Sequence, residues 1–266
     1  MRTSQIYGFI PIMSIHSKME ILPISITVKK GKFDLFESLI HSGFKFYEND
    51  IVVLSSKYVS MSEGSIVNLD KIKVSKNAQD IAAKYHINSS LAELILRESD
   101  YIYKGVPGFL LTIKNGMMAP NAGIDRSNVP LGYAILYPHA PFKSAEKLRR
   151  KFIIHLGIKV GIVIADSRLM PTRIGTIGIA ISGARFEPVE DKRGKKDLFG
   201  NILKVTFIAV ADSLASMAVA VMGESDESTP AAVIRGTKVV ATNRMLTSHD
   251  MVVAPAQDIY IRGLQI

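Results

Sequence analysis

Apolar and polar positions along this chain fall into two periods. Phe33, Phe36, Leu39 and Ile40 share one stripe of a short helix over 33–40. After the Glu48-Asn49-Asp50 turn, Ile51-Val52-Val53-Leu54 is apolar at every position, as a strand buried on both faces must be, and it runs into Ser55-Ser56-Lys57. The spacing predicts helices over 78–85 and 91–98, with Ser90 and Glu93 at capping-box spacing in the second. Phe109 to Ile113 reads as a strand. Ser144 stands where it would cap a helix through Leu156, with Leu148, Phe152, Ile153 and Leu156 as its buried stripe and Gly157 as its end. The strongest strand is Val160 to Ala165, leading to Asp166-Ser167. Gly175 to Gly183 is a glycine-spaced apolar segment. Leu203 to Val210 alternates like a strand, and Asp212 is placed as the N-cap of a helix through Met222. Ala231 to Ile234 is another buried strand. Elements mixed in this way predict an α/β or α+β protein.

Composition narrows the class. With 266 residues, 47% apolar and 21% charged, the chain can bury a substantial core. No apolar run reaches the roughly 18–20 residues that span a bilayer. Residues 1–18 read as an N-terminal extension, too short and too broken by Gly8 and Pro11 for a signal peptide. Residues 19–266 read as one catalytic unit whose division into lobes has no legible boundary. There is no cysteine, which excludes disulfides, zinc–thiolate sites and thiol nucleophiles and suits a reducing, cytoplasmic setting. The net charge of +9 raises nucleic acid as a partner. However, the two basic runs, 147–151 and 192–196, sit beside acidic residues and lack interleaved aromatics. An anionic small substrate accounts for the charge equally well.

Three carboxylates stand at the ends of elements. Asn121-Ala122-Gly123-Ile124-Asp125-Arg126-Ser127-Asn128 packs an acid, two amides and a hydroxyl around a glycine, a loop rich in the hard oxygens that Mg²⁺ or Mn²⁺ takes. The same residues serve equally as a polar loop capping its own backbone. Asp166 ends an all-apolar strand, where open sheets place ligands, although it could instead cap a turn. Glu224 opens Gly223-Glu224-Ser225-Asp226-Glu227-Ser228-Thr229-Pro230, an acidic loop that precedes a buried strand. Ser56 and Lys57, just past the strand at 51–54, are at a position that suits phosphate. No Walker A sequence, dinucleotide fingerprint or nucleophile elbow is present. Residues alone therefore reach a plausible oxygen-ligand metal site, with a nucleotide as one candidate occupant.

The motifs, taken in order, resemble a family. Asn121 to Asn128 is similar to the Asn-Ala-Gly-Ile-Asp-x-Ser-Asn signature of the coenzyme F420-0:L-glutamate ligases. Ser55 to Gly64, Ser144 to Arg150, Val160 to Ser167, Gly194 to Gly200, Ala209 to Asp212, Met222 to Glu224 and Pro230 to Gly236 follow in the family's sequence of motifs, over about residues 20–236. The resemblance implies an α+β fold of mixed sheets with helices, found as an intertwined homodimer. It implies GTP-dependent amide formation between the carboxylate of a deazaflavin precursor and L-glutamate, with further glutamates added through γ-linkages. Two or more Mn²⁺ or Mg²⁺ ions are implied at Asp125, Asp166, Ser167 (where the family has Thr) and Glu224, with a monovalent cation as a further candidate. Nucleotide contacts are implied for Ser56, Lys57, Asn128, Met222, Gly223, Glu224, Ser225, Asp226, Ser228 and Thr229. The implied partners are small molecules, not nucleic acid or membrane.

The chain also departs from the pattern. Met61 stands where the family commonly has lysine, and Ser167-Arg168-Leu169-Met170 replaces Thr-x-Gly-Arg, moving the arginine. Pro138 to Lys143 lacks the usual acid. Arg173, Lys195 and Lys196 read as surface charges, unlike Lys57. The alternatives these departures leave open are a ligase of the same mechanism for another acid and amine, and a non-catalytic nucleotide-binding relative.

Overall fold

In residues 51–54 the strict period of two sorts the side chains into two layers. Ile51 and Val53 join one buried cluster, Val52 and Leu54 another. The computed structural model describes residues 18–27 and 31–264, so most of the expected 1–18 extension lies outside the described residues. In chain order the elements are β1 (Glu20–Ile24), α1 (Leu35–Ile40), β2 (Ile51–Ser55), α2 (Ser56–Glu63), β3 (Ile66–Asn68), α3 (Lys76–Tyr85), α4 (Ser89–Glu98), β4 (Tyr101–Val106), β5 (Phe109–Lys114) and β6 (Met117–Pro120). Then follow β7 (Tyr133–Ile135), α5 (Pro141–Leu156), β8 (Gly161–Leu169), β9 (Thr176–Ala184), β10 (Val189–Asp191), β11 (Phe207–Ala209), α6 (Val210–Met222), β12 (Ala231–Arg235) and α7 (Ile259–Gly263).

The main sheet has the order β1-β12-β2-β8-β9, with β2 and β8 parallel and the other neighbours antiparallel. On one face Val52, Leu54, Ile162, Ile164 and Val233 meet Phe36 and Leu39 of α1, Val59 of α2, and Leu148 and Phe152 of α5. On the other, Val53, Val163, Ala180 and Ala232 meet α6 through Ala211, Leu214, Ala215 and Ala218. The small side chains of α6 let its backbone come close. A Cβ on Gly178 would lie 2.4 Å from the Ala215 carbonyl oxygen, so glycine is required there. Each fully buried Val, Leu or Ile contributes about 1.5–3 kcal/mol against exposure, so this double-sided burial dominates the sheet's stability. A three-stranded antiparallel sheet, β4-β5-β6, and the β3-β7 pair stand apart from the main sheet. Leu91 and Ile95 of α4 pack on Leu110 of β5. Helices and strands in separate sheets match the α+β expectation, and no helix among the described residues is long and apolar enough to cross a membrane.

Several local expectations are corrected. Helix α5 begins at Pro141, where proline's missing N–H costs nothing, and Ser144 instead donates its hydroxyl to Glu63 Oε1 at 2.6 Å. Helix α6 begins at Val210, and Asp212 turns away from the helix end to accept from the Ala180 amide at 2.9 Å. Asn88, not Ser90, caps α4, and Glu93 accepts from the amide and hydroxyl of Ser75 instead of closing a capping box. Only Phe207–Ala209 of the 203–210 segment is a strand, whereas the glycine-spaced 175–183 segment forms the nine-residue β9. Helix α1 starts at Leu35, with the Asp34 carboxylate accepting from the Glu37 amide. The residues just past β2, expected as a strand end, are the first turn of α2.

Candidate active site

Where β2 stops and α2 begins, β8 continues. Its last parallel partner is the Ser55–Ala165 pair, and from Asp166 to Leu169 it pairs only with β9. A register shift between Ile164 and Ala165 marks the same point. Bulges of this kind re-aim side chains beside functional sites. Asp166 and Ser167 therefore lie within a strand and not beyond its end, with one flank opened by the departure of the neighbouring strand. The opening is a cavity of about 420 Å³, within the size range of small-molecule sites. Lys57, Tyr58 and Met61 come to it from α2, Asp125, Ser127 and Asn128 from the signature loop, and the whole 222–230 segment from the end of α6.

The signature loop is backbone strain turned to use. Asn121, Ala122 and Gly123 are all left-handed, with φ of 51°, 57° and 71°. A side chain with a Cβ is uncommon in that region and persists only where the surroundings fix it. Here the fixing bonds run to β5: the Leu110 amide donates to Asn121 Oδ1 at 2.8 Å, and the Ala122 amide to Thr112 Oγ1 at 2.9 Å. Asp125 then exchanges both backbone hydrogen bonds with Ile135, at 3.0 and 2.8 Å. Its carboxylate accepts from the Ser127 amide (2.7 Å) and hydroxyl (2.8 Å) and pairs with Lys57 Nζ at 3.0 Å. Burial works against the charge of Asp125, but the Ser127 amide and the Lys57 ammonium together hold its carboxyl below the usual range. Thus both readings of this loop are physically present: it caps its own backbone, and it presents an ionised carboxylate to a cavity.

Asp166 is held from two sides. The Ser56 hydroxyl, 2% exposed, donates to Oδ1 at 2.7 Å. The Tyr137 hydroxyl donates to Oδ2, and Arg168 Nη2 donates to that same hydroxyl at 2.7 Å. Burial, with the Asp166 charge beside it, pushes the Tyr137 phenol far above its ordinary value, so it stays a neutral donor. Glu224 accepts from the Ser167 hydroxyl. The loop carrying Glu224 is closed over the cavity: Asn128 Nδ2 donates to the Ser225 carbonyl at 3.3 Å, and the Ile26 amide to that of Ser228 at 2.9 Å. Within it the Glu227 carboxylate folds back to the Ser225 amide at 2.8 Å, over Gly223, where a Cβ would meet that carboxylate at 2.2 Å.

The cavity brings together Lys57, Asp125, Asn128, Asp166, Ser167, Met222, Gly223, Glu224, Ser225, Asp226, Ser228 and Thr229. Of the expected site residues only Ser56 does not line it, being buried beneath Asp166. Arg173, Lys195 and Lys196 do not line it either. Met61 does, so the departure from lysine falls on the cavity wall. Sequence reasoning missed Tyr137 as a site residue and left Arg168 as a displaced arginine without a role. No short-range spacing marks Tyr137, which gains its place from the pairing of distant strands. Among the described residues no three carboxylate or imidazole side chains gather at one ion's ligand spacing. The donors nevertheless fit divalent cations in kind: all are hard oxygens, and each carboxylate has lone pairs beyond those its protein donors use. Such a set suits ions whose remaining ligands are substrate phosphates and water.

Comparison with known proteins accords with this geometry. A sequence model of the family "F420-0:Gamma-glutamyl ligase" matches residues 28–236. A protein of Methanopyrus kandleri named coenzyme F420:L-glutamate ligase is 39% identical over 222 residues, 83% of this chain and 87% of that protein. Proteins of the same name are 38% identical in Methanocaldococcus jannaschii, over 84% of this chain and 89% of theirs, and 36% in Archaeoglobus fulgidus, over 86% and 92%. The matched span includes every strand of the main sheet except β1, together with all the carboxylates of the cavity. With coverage of this extent, and with the cavity's carboxylates all inside the matched span, the chain belongs to the F420-0:gamma-glutamyl ligase family.

Proposed function

We propose that this ligase joins L-glutamate to the carboxylate of the deazaflavin precursor F420-0 at the expense of GTP, in a reaction that requires divalent metal. The observation that carries the reading is the meeting of Asp125, Asp166, Ser167 and Glu224 with Lys57 and the 222–229 loop around one cavity. A carboxylate is a poor acyl donor. Transfer of the γ-phosphate of GTP to a carboxylate oxygen gives an acyl phosphate and GDP. The glutamate nitrogen then attacks the carbonyl carbon, a C–N bond forms, the C–O bond to phosphate breaks, and the amine proton leaves to solvent. No protein nucleophile takes part, which suits a chain without cysteine.

The residues act by position and charge. Asp125, Asp166, Ser167 and Glu224 would hold Mn²⁺ or Mg²⁺, with a monovalent cation as a further candidate. Divalent ions in such a site supply neutralisation of phosphate oxygens. Lys57, already aligned on Asp125 and Ser127, adds a cation at the same edge. Asn128 and the 222–229 segment, hydrogen-bonded across the mouth, meet the nucleotide and exclude water, with Ser56 supporting from below. The protein works as a homodimer in the cytoplasm on small-molecule substrates. Support for the dimer is the apolar surface next to the β10–β11 pair, where Leu198, Phe199 and Val205 are 99%, 91% and 83% exposed. Large apolar side chains left this exposed close together in the chain are a feature of protein-contact surfaces.

The test is mass spectrometry of the purified protein incubated with GTP, Mn²⁺, L-glutamate and F420-0. Glutamylated product with equimolar GDP is the expected result. Tight metal-dependent GTP binding without product would overturn it.

A further inference from the structure

Tyr137 does not line the cavity, is 6% exposed, and yet touches both the Asp166 carboxylate and the loop that carries Asp125. Its ring lies against Gly123: a Cβ there would stand 2.2 Å from Tyr137 Cε1, so the ring occupies space that only glycine vacates. Two residues before it, Ile135 exchanges both backbone hydrogen bonds with Asp125. Its hydroxyl sits between the Arg168 guanidinium, which donates to it, and Asp166 Oδ2, which accepts from it. Arg168 is itself 8% exposed and comes from β8, two residues beyond Asp166. One side chain thus ties the Asp125 loop to the strand carrying Asp166.

We infer that Tyr137 is a positioning residue: braced by Arg168 and working opposite Ser56, it aims the Asp166 carboxylate into the cavity and fixes its place relative to Asp125. A carboxylate rotates freely about its last bond unless both oxygens are held. Here Ser56 holds Oδ1 and Tyr137 holds Oδ2. Each oxygen keeps a second lone pair beyond these two bonds, and Asp166 lines the cavity. The Tyr137 hydroxyl cannot turn elsewhere, because the ring is confined by Gly123 and the oxygen already accepts from a buried cation. Partners that orient a ligating carboxylate commonly change metal affinity 10–100-fold when removed. The inference rests on the proposal that Asp166 holds a divalent ion.

The test compares Tyr137→Phe with Asp166→Asn, using Mn²⁺ titrated in the presence of a non-hydrolysable GTP analogue and free Mn²⁺ read by electron paramagnetic resonance. Tyr137→Phe keeps the ring on Gly123 and should keep its circular dichroism spectrum and melting temperature within a few degrees. It should weaken Mn²⁺ binding about 10-fold, raise the KM for Mn²⁺, and recover most of kcat at saturating metal. Asp166→Asn should lose more. If Asp166→Asn weakens Mn²⁺ binding while Tyr137→Phe binds like the natural protein, the positioning role is refuted and the metal assignment stands. If Asp166→Asn also binds like the natural protein, the metal assignment itself fails, and the inference with it. Should Tyr137→Phe not fold, Ser56→Ala strips the opposite oxygen of the same carboxylate. A similar loss supports the two-sided clamp, and unchanged affinity overturns it.

Discussion

Replacing Asp125 by Asn separates what the signature loop does for the fold from what it does for chemistry. The substitution keeps the shape and leaves Oδ1 able to accept from the Ser127 amide, the 2.7 Å bond that closes the turn. It removes the charge that faces Lys57 at 3.0 Å. Two unit charges at that distance would attract by about 5 kcal/mol at an effective dielectric of about 20. The side chains of Lys57 and Asp125 are 24% and 40% exposed, however, so water screens the pair. The net loss should fall to about 1 kcal/mol, near the upper end for solvated ion pairs. For a chain of this size that is a drop of roughly 2–4 °C in melting temperature. Turnover should fall far more, by about 100-fold, because a carboxylate that neutralises developing charge through a bound ion has no substitute in a neutral amide. Calorimetry and initial-rate assays on the same preparation give both numbers. Full activity in Asp125→Asn would refute the metal role of the loop. A collapse in stability matching the loss of rate would show that the loop serves the fold alone.

Two further outcomes follow from the structure. Hydrogen bonds from the hydroxyl and amide of Ser75, with Arg97, hold Glu93 at about 2, below its ordinary 4.5. A depressed carboxyl contributes stability that is complete above pH 4.5 and is lost as pH falls towards about 2; thermal melts of Glu93→Gln should therefore lie below the natural protein at pH 7 and converge with it near pH 2, and parallel melts across that range would contradict the assignment. On the proposed homodimer, Leu198→Asp combined with Phe199→Asp, at two sites 99% and 91% exposed, should lower the mass seen in light scattering to that of one chain, whereas an unchanged mass would remove this surface from the proposed interface.

What the sequence disclosed, and what it did not, divides along physical lines. Strands such as Ile51–Leu54 and Val160–Ala165 were legible because burial on both faces leaves no polar position to confuse the period. Helix starts were not. Ser144, Asp212 and Ser90 each have capping chemistry, but only tertiary structure decides whether a hydroxyl or carboxylate serves its own helix or a neighbour: Ser144 serves Glu63, and Asp212 serves Ala180. The carboxylates of the cavity could be picked out because each sits beside a local break, a glycine or the end of an apolar run. Tyr137 and Arg168 could not, since one follows a three-residue strand and the other reads only as a displaced arginine. Their partnership exists only after β7 and β8 have been brought together by residues far apart in the chain.

The most direct test of carboxylate activation follows one oxygen atom. F420-0 labelled with ¹⁸O in its reacting carboxylate is incubated with the enzyme, GTP, Mn²⁺ and L-glutamate, and the inorganic phosphate released is examined by mass spectrometry. If the carboxylate attacks the γ-phosphate and the amine then displaces phosphate, one labelled oxygen passes to phosphate for each amide formed. Amide formation with unlabelled phosphate would contradict the account.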